Sequence, residues 1–131
     1  MIVDSSALVA ILRREPERQR LTQMLRETPE VRISAATYFE ISIVIDSAHD
    51  PITSLMLDDL IEKSKITIEP VTEEQARIAR QAYRDFGKGS GHRANLNFGD
   101  CFAYALARVK RESLLYKGDD FVHTDLKSAL S

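Results

Sequence analysis

Asp4, Glu40, Asp100 and the adjacent Asp119 and Asp120 are the residues whose types and placement can do chemistry here. Each stands at a junction. Asp4 closes an apolar opening stretch, Met1-Ile2-Val3, that reads as a strand. Glu40 lies one turn into the helix expected after a second strand. Asp100 opens the last long helix, and Asp119 and Asp120 follow a final strand. In open α/β sheets, sites lie beyond the carboxyl ends of the strands, so acids far apart in sequence converge on one edge. Carboxylates gathered without basic partners repel one another and call for a divalent cation. All-oxygen ligation favours Mg²⁺ or Mn²⁺ over zinc. Such a centre activates water and neutralises charge on a phosphodiester.

Each acid also has a purely structural reading. Glu40 sits in Tyr38-Phe39-Glu40-Ile41-Ser42-Ile43-Val44-Ile45. A carboxylate buried in such a run is costly unless a cation or donor meets it. Ile43 and Val44 share its face at helical spacing, which speaks against a solvent stripe. Asp4 and Asp100 can be helix caps or dipole partners. Asp119 and Asp120 can be turn residues after Gly118. The convergence of the acids carries the reading, not any one of them.

The elements that must position these acids alternate. Strands are expected at Met1–Asp4, Val31–Ser34, Ile66–Ile68 and Leu114–Tyr116, each rich in β-branched or other apolar residues. Ser5 or Ser6 can cap a first helix that presents Leu8, Ile11 and Leu12. Pro16 suits the first turn of a second helix carrying Leu21, Met24 and Leu25. A long helix is expected from about Ala36 to Ala48, broken by Pro51. Another follows with Leu57, Leu60 and Ile61. Thr72 and Gln75 have capping-box spacing ahead of a helix whose apolar positions are Ala76, Ala79, Tyr83 and Phe86. Gly87 to Gly91 reads as a loop. The last helix, from about Phe98, is expected to bury Phe102, Leu106 and Val109. This alternation predicts an α/β fold, a mostly parallel sheet covered on both faces, in a single domain over residues 1–131.

Composition sets the outer limits. With 131 residues, 44% hydrophobic and 29% charged, the chain can bury a real core. A net charge of -2 argues against a protein that coats nucleic acid non-specifically. The lone Cys101 excludes an internal disulfide and a cysteine zinc cage, and reads as a small buried thiol. No signal segment or run long enough to span a bilayer is seen, so a cytoplasmic protein is expected.

The blocks Ile2-Val3-Asp4-Ser5-Ser6-Ala7-Leu8, Ala36-Thr37-Tyr38-Phe39-Glu40, Leu96-Asn97-Phe98-Gly99-Asp100-Cys101-Phe102-Ala103-Tyr104-Ala105-Leu106-Ala107 and Leu114-Leu115-Tyr116-Lys117-Gly118-Asp119-Asp120-Phe121 resemble, in order, the signature blocks of PIN-domain toxins of the VapC type. The resemblance implies a PIN-like α/β/α sandwich and a Mg²⁺- or Mn²⁺-dependent endoribonuclease. It places Asp4, Glu40 and Asp100 on the family's acidic positions and Ser6 on its small hydroxyl near the metal. Many relatives carry Thr-x-Asp where this chain has Tyr116-Lys117-Gly118. The fourth acid is therefore expected one place on, at Asp119, with Asp120 as an accessory or structural residue. The resemblance further implies a VapB-type antitoxin partner and a homodimer.

For RNA contact, Arg77, Arg80 and Arg84 recur at helical spacing, followed by Lys88, His92 and Arg93 around the glycine loop. Lys117 stands beside Asp119. Phosphate binding and a solvated face are both open for these. Other functions remain. A metal-free ribonuclease would need paired acid and base groups such as His49, His92 or His123, none of which lies in a block at the acid edge. A small-molecule phosphatase that begins with strand-Asp normally has a second Asp two residues on, where this chain has Ser6. A non-catalytic binding or regulatory protein of the same fold would use the acids only as caps and turns.

Overall fold

A computed structural model describes all residues, 1–131. In chain order the elements are β1 (Ile2–Val3), α1 (Ser5–Leu12), α2 (Arg18–Glu27), β2 (Val31–Ser34), α3 (Ala35–Asp46), α4 (Pro51–Lys63), β3 (Ile66–Glu69), α5 (Glu73–Phe86), α6 (Phe98–Lys110) and β4 (Leu114–Leu115). The sheet has four strands in the order β3-β2-β1-β4, and every pairing is parallel. Ile2 aligns with Arg32 on one side and Leu114 on the other.

Successive strand residues point to opposite faces, and this splits the core in two. Val3 packs with α1, α2, α3 and α4 through residues such as Leu8, Leu21, Ile41 and Leu57. Ile2 packs on the other face with α5, α6 and Phe121. Both residues are fully buried, as a central parallel strand requires. The result is the expected α/β/α sandwich. No helix is long and apolar enough to cross a membrane.

Several local expectations shift. Asp4, not Ser5 or Ser6, caps α1. Pro16 lies just ahead of α2 rather than in its first turn. Pro51 does not merely stop α3: it opens α4 behind the Asp50 cap. Thr72 accepts from the Gln75 backbone N–H at 3.2 Å, but the Gln75 amide donates to the Pro70 carbonyl, so only half of the capping box forms. α5 is rotated from the expected face. It buries Gln75 and Ala82 beside Ile78, Ala79 and Phe86, while Ala76 and Tyr83 face outward. α6 buries Ala103, Ala105, Leu106 and Ala107 and leaves Phe102 and Val109 half-buried.

Candidate active site

The strand order places the site. The chain lays down β1, β2 and β3 in one direction, then returns to put β4 on the other side of β1. The crevice at such a reversal, beyond the carboxyl ends of the strands, is where open α/β folds bind ligands. Asp4 follows β1 directly. Asp119 and Asp120 follow β4, Glu40 lies on the helix after β2, and Asp100 sits in the first turn of α6.

Asp4 is only 2% exposed. Its Oδ2 accepts from the Ser6 hydroxyl at 2.6 Å and from the Ser6 backbone N–H at 3.0 Å, which caps α1. Its Oδ1 is buried with no hydrogen-bond partner at all. A buried carboxylate oxygen without a donor is costly. Burial pushes the Asp4 carboxyl up to about 6; the Ser6 bonds oppose the rise and the charge of Glu40 adds to it.

Asp100 divides its labour in the same way. Asn97 Oδ1 accepts from the Asp100 backbone N–H at 2.9 Å, and Asp100 Oδ2 accepts from the Asn97 backbone N–H at 3.0 Å, a reciprocal capping box. The same carboxyl is pushed up to about 7, first by burial and then by the charges of Asp4, Asp120 and Glu40. Cap and cluster member, posed by the sequence as alternatives, are one residue.

Glu40 is half-buried, and its Oε1 accepts from the Ser5 hydroxyl at 2.9 Å. The argument from Ile43 fails, because Ile43 is exposed; the buried face of α3 is Thr37, Ile41 and Ile45. What holds Glu40 at the site is Ser5 and the absence of a side chain at Gly99. A Cβ there would stand 1.9 Å from Glu40 Oε2. Ser5, Asn97 and Gly99 stood in the quoted blocks, but the sequence reading gave none of them a role in positioning the acids. The signals available were their place in those blocks and their position beside Asp4 and Asp100.

After β4, the Lys117 backbone N–H donates to Ser6 Oγ at 3.0 Å, tying this segment to the Asp4 cap. Gly118 adopts φ +98, a left-handed turn suited to glycine. Asp119 and Asp120 are both exposed, and it is Asp120 whose charge acts on Asp100. The Lys117 ammonium is taken by Glu15 and by Glu17 at 3.2 Å, which holds its titration above the usual lysine range. It is not a free cation for phosphate.

Arg80, Arg84 and Arg93 are exposed and make no ion pair, whereas Arg77 pairs with Glu73 at 3.6 Å. His92 is used internally: its Nδ1 accepts from the Ala94 N–H at 3.0 Å and its ring meets Phe86 edge-on. Cys101 is buried, and burial beside Asp100 pushes its thiol up to about 11, an unreactive state.

The donor set is all oxygen and anionic, with no cation among its partners. No three of these side chains are gathered closely enough to cage an ion by protein atoms alone. Mg²⁺ typically takes one or two carboxylates and keeps several waters, so a closed cage is not required. The unpartnered Asp4 Oδ1 and the raised Asp4 and Asp100 carboxyls fit a bound divalent cation.

The PIN domain family model matches residues 1–127. Ribonuclease VapC28 of Mycobacterium tuberculosis is 55% identical over 130 residues, covering 99% of this chain and 98% of that protein. The crystal structure of VapC20 of M. tuberculosis, described as a Sarcin-Ricin loop cleaving toxin, superposes with a TM-score of 0.73 at 16% identity, covering 95% of both chains. A toxin–antitoxin complex from Klebsiella pneumoniae matches with a TM-score of 0.70 at 16% identity, covering 95% of this chain and 92% of that one. Fold, chain order and near-complete sequence match agree: the chain belongs to the VapC ribonucleases, PIN-domain toxins of toxin–antitoxin systems.

Proposed function

We propose that this ribonuclease hydrolyses RNA with Mg²⁺, or Mn²⁺ in its place, held by Asp4, Glu40 and Asp100, with the acidic turn after β4 supplying a fourth carboxylate. Asp120 suits that fourth place better than Asp119, because its charge reaches Asp100. The observation that carries the reading is the buried Asp4 Oδ1 with no donor. When bound, a divalent ion supplies an activated water and offsets charge on the phosphodiester. The chain's own residues do the rest. Ser6 fixes the rotamer of Asp4, Asn97 fixes Asp100, and Ser5 fixes Glu40. With water as nucleophile, products carry 5′-phosphate and 3′-hydroxyl ends. Mapping cleaved ends, with and without chelator, tests this. Cyclic 2′,3′-phosphate ends, or cleavage unaffected by chelator, would overturn it.

RNA reaches the acids across Arg80, Arg84 and Arg93. Phe86, at the end of α5, touches Tyr104 one turn beyond Asp100, so this end of α5 lies near the acid edge. Each phosphate neutralised contributes a log–log salt slope of roughly -0.7 on single strands. Changing Arg80 and Arg84 to Ala should flatten the slope of RNA binding; an unchanged slope returns them to a solvated face.

In the cytoplasm, the inhibitor is a VapB-type antitoxin, and the toxin forms a homodimer. The exposed apolar side chains Phe39, Ile43, Ile52, Leu55 and Phe98 support cover by a partner. Co-expression with the neighbouring small open reading frame should give a complex and relieve toxicity. Neither a complex nor relief would count against this part.

A further inference from the structure

The turn bearing Asp120 is anchored at both ends, and the far anchor lies on the helix that holds Asp100. At the near end, the Lys117 N–H is bound to Ser6. Phe121, 1% exposed, buries itself directly after Asp120 and packs on Tyr116 with ring centroids 5.3 Å apart. The chain then turns, with Thr124 Oγ1 donating to the Phe121 carbonyl at 2.7 Å and accepting from the Leu126 N–H at 3.3 Å. It is caught again at Asp125. The buried Tyr104 donates its hydroxyl to Asp125 Oδ1 at 2.7 Å, and Arg108 bonds Oδ2 at 3.1 Å. Tyr104 and Arg108 follow Asp100 at one-turn intervals on α6, so one helix carries an acid of the site and the anchor of the segment bearing its neighbour.

We propose that Tyr104, with Arg108, acts through Asp125 as a positioning latch that fixes the Gly118–Phe121 turn and so presents Asp120 to the cation site; this rests on the metal-centred reading above. Tyr104 is a positioning residue, acting through the hydrogen bond to Asp125. Of the two contacts the tyrosine bond dominates, because Arg108 and Asp125 are each about half exposed, at 51% and 48%, and such pairs contribute little. Nothing in the acidic cluster itself requires a tyrosine and an aspartate on this side of the helix.

The test is Mn²⁺ binding by calorimetry to the full chain, for wild type, Tyr104→Phe, Asp125→Ala, Asp125→Asn and Asp120→Asn. Outer partners of metal sites typically contribute 10–100-fold in affinity, so Tyr104→Phe and Asp125→Ala should weaken Mn²⁺ roughly tenfold. Asp125→Asn keeps an acceptor for the hydroxyl and should restore most of the loss. Amide exchange over residues 118–121 of the metal-free protein should quicken in Tyr104→Phe. Combined with Asp120→Asn, Tyr104→Phe should cause no further loss of affinity. The latch is overturned by unchanged affinity in Tyr104→Phe, or by an equal loss with Asp120 already neutralised. A wild type that binds no Mn²⁺ overturns the latch and the metal-centred reading together.

Discussion

Asp100→Asn should abolish RNA cleavage and leave the metal-free protein as stable as wild type, or more stable, at neutral pH. Changes to outer partners of metal sites already cost 10–100-fold, so loss of a ligand should cost at least about a hundredfold. Stability moves the other way because the native state holds buried carboxylates against their own charge. The sign follows from the shifts. Asp4 titrates at about 6 in the folded protein and near its ordinary value of 3.8 when unfolded. Between those values the native state binds more protons, so stability falls as pH rises through that window, and the loss is complete above it. For Asp4 alone the difference is on the order of 3 kcal/mol. Asp100, raised to about 7, extends the window upward. Metal-free wild type should therefore melt higher at pH 5 than at pH 8, after subtraction of the same difference in Asp4→Asn. Asn at position 100 keeps the cap with Asn97 and loses the charge. Glu40→Gln should behave alike. Added Mg²⁺ at pH 8 should stabilise wild type by ligand linkage and the variants much less. Equal Mg²⁺ shifts in all proteins would show that these acids are caps and nothing more.

Gly99→Ala separates the site from the fold more sharply. The added Cβ would stand 1.9 Å from Glu40 Oε2 and 2.7 Å from its carboxyl carbon. Those atoms end a flexible side chain that reaches half-buried space, so the carboxylate can swing away at small cost. The first turn of α6 meanwhile gains alanine's helix propensity, up to about 1 kcal/mol. The melting temperature should stay level or rise slightly. Activity should not survive, because Glu40 leaves Ser5 and its place facing Asp100. Misplacement of about 1 Å can cost 10²-fold in rate. Ser5→Ala, which removes one hydrogen bond and leaves space unchanged, should cost less. Thermal melts and single-turnover cleavage read both effects. Full activity in Gly99→Ala would remove Glu40 from the site.

The sequence by itself determined the alternating elements, the parallel sheet and the convergence of Asp4, Glu40 and Asp100 on one edge. Those features are written in local signals: β-branched runs, helical periodicity, caps, and acids at strand ends. Tertiary structure decided what depends on distance across the chain. A carboxyl has two oxygens, and only the fold shows that Asp4 gives one to the α1 cap and leaves the other unpartnered. That the charge of Asp120 bears on Asp100, from a turn that follows the left-handed Gly118, is a property of the folded chain and not of the local sequence. Lys117 keeps its charge but spends it on ion pairs with Glu15 and Glu17, far away in sequence, which no local pattern could show. The face that α5 buries was misread because Ala76 and Tyr83 satisfy helical spacing as well as Ile78 and Ala82 do. Which stripe faces α6 is settled by packing, not by period. Gly99 is the plainest case: its role is to be small where Glu40 arrives from another helix, and a missing side chain leaves no mark in the sequence beyond the glycine itself.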